Sequence, residues 1–341
     1  MSTIQESAAE TQAAATVDAP PKRAMGLGRT ASWAMLIAFL VLPLLVKNFV
    51  IFQVTMVLIY GIAVLALNIL TGGSGQFSLG QSAFYAIGAY AAAILIEHGG
   101  VNYALTLPIA GIICFGVGFL FGFPALRLSG IYLALATYAF AVAMPQLLKL
   151  GVFEHWTGGV QGLVVTKPDA PFGLPMSQDM WLYYFTLAVS IAIYLASINL
   201  LRSRSGRAMM AIRDNEIAAS AMGVDLSVYK TLAFGVSAGI TGVAGALGAI
   251  AVQFVAPDSY TFQLAIALFL GMVVGGVGWL PGSLAGAAFI VFVPNIAEGI
   301  SKGLSGAFFG VLLFAVIYLV PHGARQGAIY AETLINKFRR S

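Results

Sequence analysis

The residues that could do chemistry here are uncharged amides and hydroxyls beside apolar runs, not the titratable groups of an enzyme. Such side chains are costly inside a membrane unless they find partners or line a wet cavity. This set consists of Asn68, Gln76, Ser78, Gln81 and Ser82. It could line a path for a polar solute, or it could hydrogen-bond one helix to another, and the sequence leaves both interpretations open.

No constellation typical of catalysis or metal binding accompanies these groups. The histidines (His98, His155 and His322) are scattered without ligand spacing. The single cysteine, Cys114, lies in an apolar run and predicts a packed thiol. No Gly-x-x-x-x-Gly-Lys-Ser/Thr loop occurs. We therefore expect no catalytic residue, no metal and no cofactor in this chain, and no ATP bound through a phosphate loop.

The elements that must position these residues are membrane spans. The chain has 341 residues, of which 60% are hydrophobic and only 9% charged, against about 25% charged in soluble domains. Apolar runs close to the roughly 20 residues that cross a bilayer lie at 31–46, 49–70, 80–96, 104–126, 130–148, 181–201, 229–252, 261–279, 283–299 and 304–320. Lipid offers no hydrogen-bond partner to the backbone, so such spans are helices. We predict an all-α polytopic integral membrane protein with roughly ten transmembrane helices, eight to ten being allowed.

Glycine-rich segments interrupt two of these spans. One group follows the second span and the other lies near the end of the eighth. Interrupted apolar segments in corresponding halves indicate inverted repeats with broken helices, although close helix packing uses the same glycines. The candidate translocation path combines both groups with the polar set: Asn68, Gly72, Gly73, Gly75, Gln76, Ser78, Gln81, Ser82, Gly275, Gly276 and Gly278.

Lysine and arginine set the expected orientation, because loops rich in them stay in the cytoplasm. They concentrate in the N-terminal tail, in the segment between the sixth and seventh spans, and in the C-terminal tail. We expect a disordered cytoplasmic tail (1–30), a transmembrane domain (31–320) and a basic cytoplasmic tail (321–341). Within the domain, 149–180 forms an external loop and 202–228 a cytoplasmic one.

The cytoplasmic stretch 203–225 predicts a short amphipathic helix. Asp214 or Asn215 is a plausible internal cap, and Gly223 is expected to end the helix. Such a helix can lie on a membrane or insert its apolar face into a partner's groove. The acidic residues mixed with its arginines favour a protein partner.

This stretch resembles the coupling loop of ABC-importer permeases, whose loose motif is Glu-Ala-Ala followed by Gly. The chain has Glu216-Ile217-Ala218-Ala219 and then Gly223, with one residue inserted. The runs 206–245 and 67–84 are similar to permeases of branched-chain amino-acid ABC importers of the LivM type. The resemblance covers roughly residues 35–320.

The resemblance implies a permease subunit in a bacterial cytoplasmic (inner) membrane, with both termini cytoplasmic. It also implies partners: a second homologous permease chain forming a heterodimer, two cytoplasmic ATPases that bind the ATP, and an external solute-binding protein, but no nucleic acid. Glu216 is expected to pair with a basic residue of the ATPase. The candidate ATPase-coupling residues are Arg207, Arg213, Asp214, Glu216, Ala218, Ala219 and Gly223.

Two alternatives remain open. One is an ABC permease for urea or another small organic solute, since related permeases carry such compounds. The other is a stand-alone secondary transporter or channel. A secondary carrier would be expected to show mid-span carboxylates and no docking helix, whereas this chain shows the opposite pattern.

Overall fold

The computed structural model describes residues 38–125, 128, 130–170, 176–300 and 310. The chain divides into a unit up to Leu44 and a unit from Leu45 onward. Of the first unit only 38–44 are described, and they are helical. The predicted tails, 1–30 and 321–341, and the predicted last span, 304–320, lie outside the described residues.

The second unit is a bundle of helices joined by short connections. Its longer helices are α1 (Asn48–Asn68), α2 (Gln81–Glu97), α3 (Tyr103–Ala125), α4 (Ile131–Leu148), α6 (Gln178–Arg202), α9 (Leu226–Val252), α10 (Phe262–Gly275) and α11 (Gly282–Ile300). Its shorter helices are α5 (Glu154–Thr157), α7 (Arg204–Asp214) and α8 (Glu216–Ala221). A π-helical turn, Ile69–Gly73, continues α1. Within the described part, six helices are long and apolar enough to cross a membrane.

Helices α1 and α9 form the interior of the bundle. About 72% and 78% of their most apolar stretches are buried, against 17–33% for the other four long apolar helices. Glycines allow this packing, because a Cβ on Gly88 or Gly245 would overlap the backbone of the neighbouring helix. The outer helices expose apolar side chains, which a bilayer covers at no cost.

Most predicted spans coincide with observed helices, and two boundaries need correction. The predicted span 261–279 ends early, at Gly275, because Gly276 and Gly278 take positive φ angles of 99° and 79°. The predicted span 181–201 begins earlier, since Ser177 caps α6, which starts at Gln178. The predicted interruption between the eighth and ninth spans is present, since α11 begins at Gly282.

Two connections meet at one end of the bundle. The two-residue strands β1 (Leu163–Val164) and β2 (Phe254–Val255) pair antiparallel. Lys149 forms an ion pair with Asp258 at 2.6 Å in the 3₁₀ turn Pro257–Tyr260. These contacts hold the segment after α4 against the segment after α9, at the end where the sequence predicts the external loop.

Candidate functional site

The predicted amphipathic helix is two helices, α7 and α8, which meet at Asn215. The Asn215 backbone is extended, and its Oδ1 accepts a hydrogen bond from the Ala218 N–H at 3.0 Å. This is the geometry of an N-cap, so Asn215 is the internal cap. Asp214 instead accepts two hydrogen bonds from Arg213, at 2.8 and 2.9 Å.

Helix α8 ends as the sequence predicts. Gly223 has a φ angle of +83°, and its N–H donates to the Ser220 carbonyl at 2.9 Å. The next N–H, of Val224, donates to the Ala219 carbonyl at 3.0 Å. This pair of bonds defines a Schellman motif, which favours glycine at the left-handed position.

The apolar residues of this stretch divide between two environments. Met209 and Ile212 of α7 are fully buried against the membrane domain. Ile217 at the start of α8 is 84% exposed, and Met222 just after it is 85% exposed. Helix α7 therefore belongs to the bundle, whereas α8 presents an uncovered apolar surface. We call Glu216, Ile217, Ser220, Ala221 and Met222 the α8 surface.

The predicted coupling residues are not equally placed on this surface. Ala218 is exposed, but Ala219 is buried inside the chain at 4% exposure. Glu216 pairs with Lys230 of α9, with 2.7 Å between Oε2 and Nζ, and stays about half exposed. Arg207 donates to the carbonyl of Arg202 at 2.9 Å. In this conformation the partner of Glu216 is thus within the chain.

The first glycine break, residues 69–80, is a π-helical turn followed by a segment without regular structure. Gln76 is buried, and its Nε2 donates to the Ser74 hydroxyl at 3.0 Å and to the Lys230 carbonyl at 3.1 Å. Further along, the Leu79 N–H donates to Thr137 Oγ1 of α4 at 2.9 Å. Irregular backbone at membrane depth is tolerated where protein surrounds it, and α4 and α9 provide these partners.

Asn68 joins the first glycine break to the second, residues 276–281. Its Oδ1 accepts from the Gly278 N–H at 2.7 Å. Its Nδ2 donates to the carbonyls of Trp279 at 3.1 Å and Gly276 at 3.3 Å. A Cβ on Gly72 would lie 2.6 Å from the Gly278 nitrogen, so the two breaks are in backbone contact.

Gln81 bonds one helix to another. Its Nε2 donates to Ser237 at 3.0 Å, and its Oε1 accepts from Thr241 at 2.7 Å. Ser237 in turn donates to the Ala66 carbonyl at 2.8 Å. These bonds tie α1, α2 and α9 together, which favours the structural interpretation for this amide.

The two serines of the predicted path differ in their hydrogen bonding. Ser78 Oγ accepts from the Gly80 N–H at 3.2 Å. The Ser82 hydroxyl is fully buried and has no hydrogen-bond partner within the described residues.

The remaining glycines of the predicted path lie at helix contacts. Gly73 lies beside the Leu201 side chain, and Gly275 packs against Gly282. The amides of the set are thus engaged inside the chain in this conformation, and the path remains a prediction.

Several residues at these contacts escape sequence reasoning. Lys230, Ser237 and Thr241 lie in α9, far along the chain from the groups they contact. The spacing of Ser237 and Thr241, four residues apart, was the available signal, because it places both on one helix face. Among the described residues, no three His, Cys, Asp or Glu side chains are grouped to hold a metal.

Comparison with known proteins identifies the family to which the chain is similar. Residues 50–320 match the family described as branched-chain amino acid transport system, permease component. The chain is similar to the high-affinity branched-chain amino acid transport system permease protein LivM of Salmonella typhimurium. They are 34% identical over 313 residues, covering 85% of this chain and 73% of that protein.

Two proteins of Escherichia coli also match. The LivM protein is 35% identical over 268 residues, covering 72% of this chain and 63% of LivM. The permease protein LivH of the same named system is 28% identical over 146 residues, covering 42% of this chain and 44% of LivH. No solved structure matches the chain. The family match spans both glycine breaks and the helices α7 and α8, and the chain is a multi-pass membrane protein that belongs to the branched-chain amino acid transport permease family.

Proposed function

We propose that this chain is a permease subunit of an ATP-driven importer that carries branched-chain amino acids across a bacterial cytoplasmic membrane. The observation that carries the proposal is the α8 surface, which exposes Ile217 and Met222 on a segment outside the spans. Large apolar side chains exposed together on a polar segment mark an interaction site. A permease without an ATP-binding loop needs such a site to receive energy.

The partner at the α8 surface is a cytoplasmic ATPase rather than lipid headgroups. A helix that lies on a membrane has Lys and Arg along its polar face. Helix α8 has no basic residue, and the carboxylate of Glu216 borders its apolar side chains. An apolar ridge with an acidic edge is suited to a protein groove, so ATP is bound and hydrolysed by that partner.

The distribution of arginines supports an orientation of the bundle in the membrane, and from it a location for the remaining subunits. The arginines beside α8 put this end of the bundle in the cytoplasm, together with both termini. The opposite end, with the paired strands β1 and β2, then faces the external solute-binding protein. Similarity to LivH, a permease of the same named system as LivM in Escherichia coli, supports a second, homologous permease chain as the other half of a heterodimer.

The solute path is proposed along the first glycine break. Irregular backbone leaves peptide groups that can serve a zwitterionic solute when helices separate, and the unpartnered Ser82 hydroxyl lies at the start of α2. Closure of the path would restore the in-chain hydrogen bonds of Gln76 and Gln81. The path residues therefore change partners during transport.

The experiment is purification of the tagged chain together with its proposed partner subunits, co-expressed in the same cells. Leucine uptake is then measured in proteoliposomes that contain the purified complex. We expect ATPase subunits to copurify with the wild-type chain. We also expect leucine uptake only when ATP is inside the liposomes, on the side that corresponds to the cytoplasm. Ile217→Glu should lose the ATPase while the permease remains in the membrane. Val152→Glu is the matched control for ATPase retention, because Val152 is equally exposed, at 84%, at the opposite end of the bundle.

Each outcome decides the proposal. Recovery of the wild-type chain without any ATPase, and uptake that ignores ATP, would establish a stand-alone carrier or channel instead. ATPase retention by Ile217→Glu would remove the α8 surface from the coupling role. ATP-dependent uptake of another solute in preference to leucine would keep the importer and change its substrate.

A further inference from the structure

The side chain of Arg213 is 39% exposed and reaches the first glycine break. Its Nη1 donates to the backbone carbonyl of Gly72 at 2.7 Å. Its Nε and Nη2 donate to Asp214 Oδ1, which fixes the plane of the guanidinium group. Gly72 and Arg213 are 141 residues apart in sequence, so this contact fastens the end of α7 to the first glycine break.

The first glycine break is shaped to receive Arg213. Gly75 has a φ angle of +73°, and a Cβ there would lie 3.2 Å from Arg213 Cγ and 3.4 Å from its Cα. A larger residue would push the α7 backbone away. Glycine at 75 therefore provides both the left-handed turn and the close approach.

The same contact continues to the second glycine break. Gly72, whose carbonyl accepts from Arg213, packs on the Gly278 backbone. One turn earlier, Asn68 makes three hydrogen bonds to the segment 276–279. Hydrogen bonds and close backbone packing thus connect α7 through Gly72 to the turn between α10 and α11.

We propose that Arg213 is a positioning residue that makes α7 and the first glycine break move as one body. This inference rests on the proposed function, in which an ATPase moves α8 during its cycle. Asn215 joins α8 directly to α7, so a displacement of α8 reaches Arg213 without an intervening loop. The bond to Gly72 then carries the displacement to the interior helix α1, and Asn68 carries it to α10 and α11.

The chemistry of this contact requires arginine. Its planar fork donates to Asp214 and to the Gly72 carbonyl at once, whereas lysine offers a single point charge. A charge-assisted hydrogen bond is also shorter and stronger than a neutral one. Lysine at 213 is therefore expected to restore only part of the function.

The test compares variants in the purified complex of permease, ATPase and binding protein, reconstituted in proteoliposomes with leucine. Arg213→Ala should lower the leucine transported per ATP several-fold relative to wild type, and recovery of the ATPase with the permease is measured alongside to separate lost coupling from lost assembly. Arg213→Lys should fall between Ala and wild type. Arg204→Ala is the control, because Arg204 is an exposed arginine at the start of the same helix.

A disulfide tests the same inference by rescue. A Cβ on Gly75 would lie 3.5 Å from Arg213 Cβ, within the roughly 3.5–4.5 Å of a disulfide. In Gly75→Cys/Arg213→Cys, oxidation joins the two sulfurs, the two thiols losing two protons and two electrons to an added copper–phenanthroline oxidant. The native thiol of Cys114 is buried and does not compete. Oxidation should raise the leucine transported per ATP above that of the reduced form, with Gly75→Cys alone as control for the strained turn.

Two results would overturn the inference. Arg213→Ala could retain the wild-type ratio of leucine to ATP, or the disulfide could abolish uptake because α7 must slide past Gly75. Both are distinct from failure of the proposed function, in which the wild-type complex itself shows no ATP-dependent leucine uptake.

Discussion

The two glycine breaks have similar sequences and different structures. In the first, α1 continues into a π-helical turn, and only Gly75 takes a positive φ angle. In the second, the chain reverses sharply between α10 and α11, with positive φ angles at Gly276 and Gly278. The composition Gly-Gly-x-Gly is therefore compatible with a widened helix end and with a tight turn.

The difference between the two breaks shows why glycine is required at each position. Gly72 lies in a helical turn, and its importance is close approach, because Gly278 occupies the space a side chain would need. A Cβ on Gly278 would meet no described residue within 4 Å, so the importance of Gly278 is its backbone angle. The sequence predicts corresponding interruptions in two halves; the structure places these interruptions in contact, with Asn68 joining them. Alanine substitutions separate the two reasons.

The largest effect is expected for Gly72→Ala. The added Cβ would lie 2.6 Å from the Gly278 nitrogen and 2.7 Å from Asn68 Oδ1, so it would disturb backbone packing and the Asn68 bonds together. Overpacking against backbone should cost about 3 kcal/mol, the upper end of its usual range. The apparent melting temperature in detergent measures this loss. A melting temperature equal to wild type would mean that the two breaks separate readily.

A smaller loss is expected for Asn68→Leu, which has a similar volume and no hydrogen bonds. It leaves the Gly278 N–H and the carbonyls of Gly276 and Trp279 without their partner, at about 2 kcal/mol. Asn295→Leu is the matched control, since within the part of the chain that the structure describes, the amide of that exposed asparagine bonds to Val291 of its own helix alone. Equal melting temperatures for the two variants would contradict a joining role for Asn68.

The sequence predicts well what depends on short-range patterns. Span positions follow from the length and apolarity of each run, and the end of α8 follows from Gly223, because a left-handed residue there needs no tertiary contact. The partners of Asn68 and Arg213 could not be predicted, since they are backbone groups 141 to 211 residues away. Peptide carbonyls carry no signature in the sequence.

The amphipathic pattern of 203–225 illustrates the same limit. The pattern shows which positions of the stretch are apolar but not which surface buries them. Met209 and Ile217 therefore cannot be distinguished from the sequence. The cap at Asn215 divides the stretch and sends Met209 to the bundle and Ile217 to the outside. Likewise, Lys230 pairs with Glu216, an ion pair that no local pattern in the sequence predicts.

A modest effect is expected for Gly278→Ala, which tests the requirement for a positive backbone angle separately from close packing. No described residue lies within 4 Å of the added Cβ, so the cost comes from a non-glycine residue at φ +79°. This cost is about 1 kcal/mol. Gly278→Asn should cost less, because asparagine adopts left-handed angles more readily. If alanine and asparagine lowered the melting temperature equally, packing rather than backbone angle would govern this position.

The smallest effect is expected for Gly73→Ala, the direct neighbour of the most sensitive position. Among the described residues its Cβ would meet the Leu201 methyl group alone, at an ordinary 3.4 Å, and its φ angle is not positive. The change should stay within about 0.5 kcal/mol, with a slight gain because alanine restricts the unfolded chain. A contrast of this size between adjacent glycines would show that the first break is specific at Gly72. A large loss at Gly73 would instead mean that neither glycine of the π-helical turn tolerates a side chain, so that the contact of Gly72 with Gly278 is not the specific requirement.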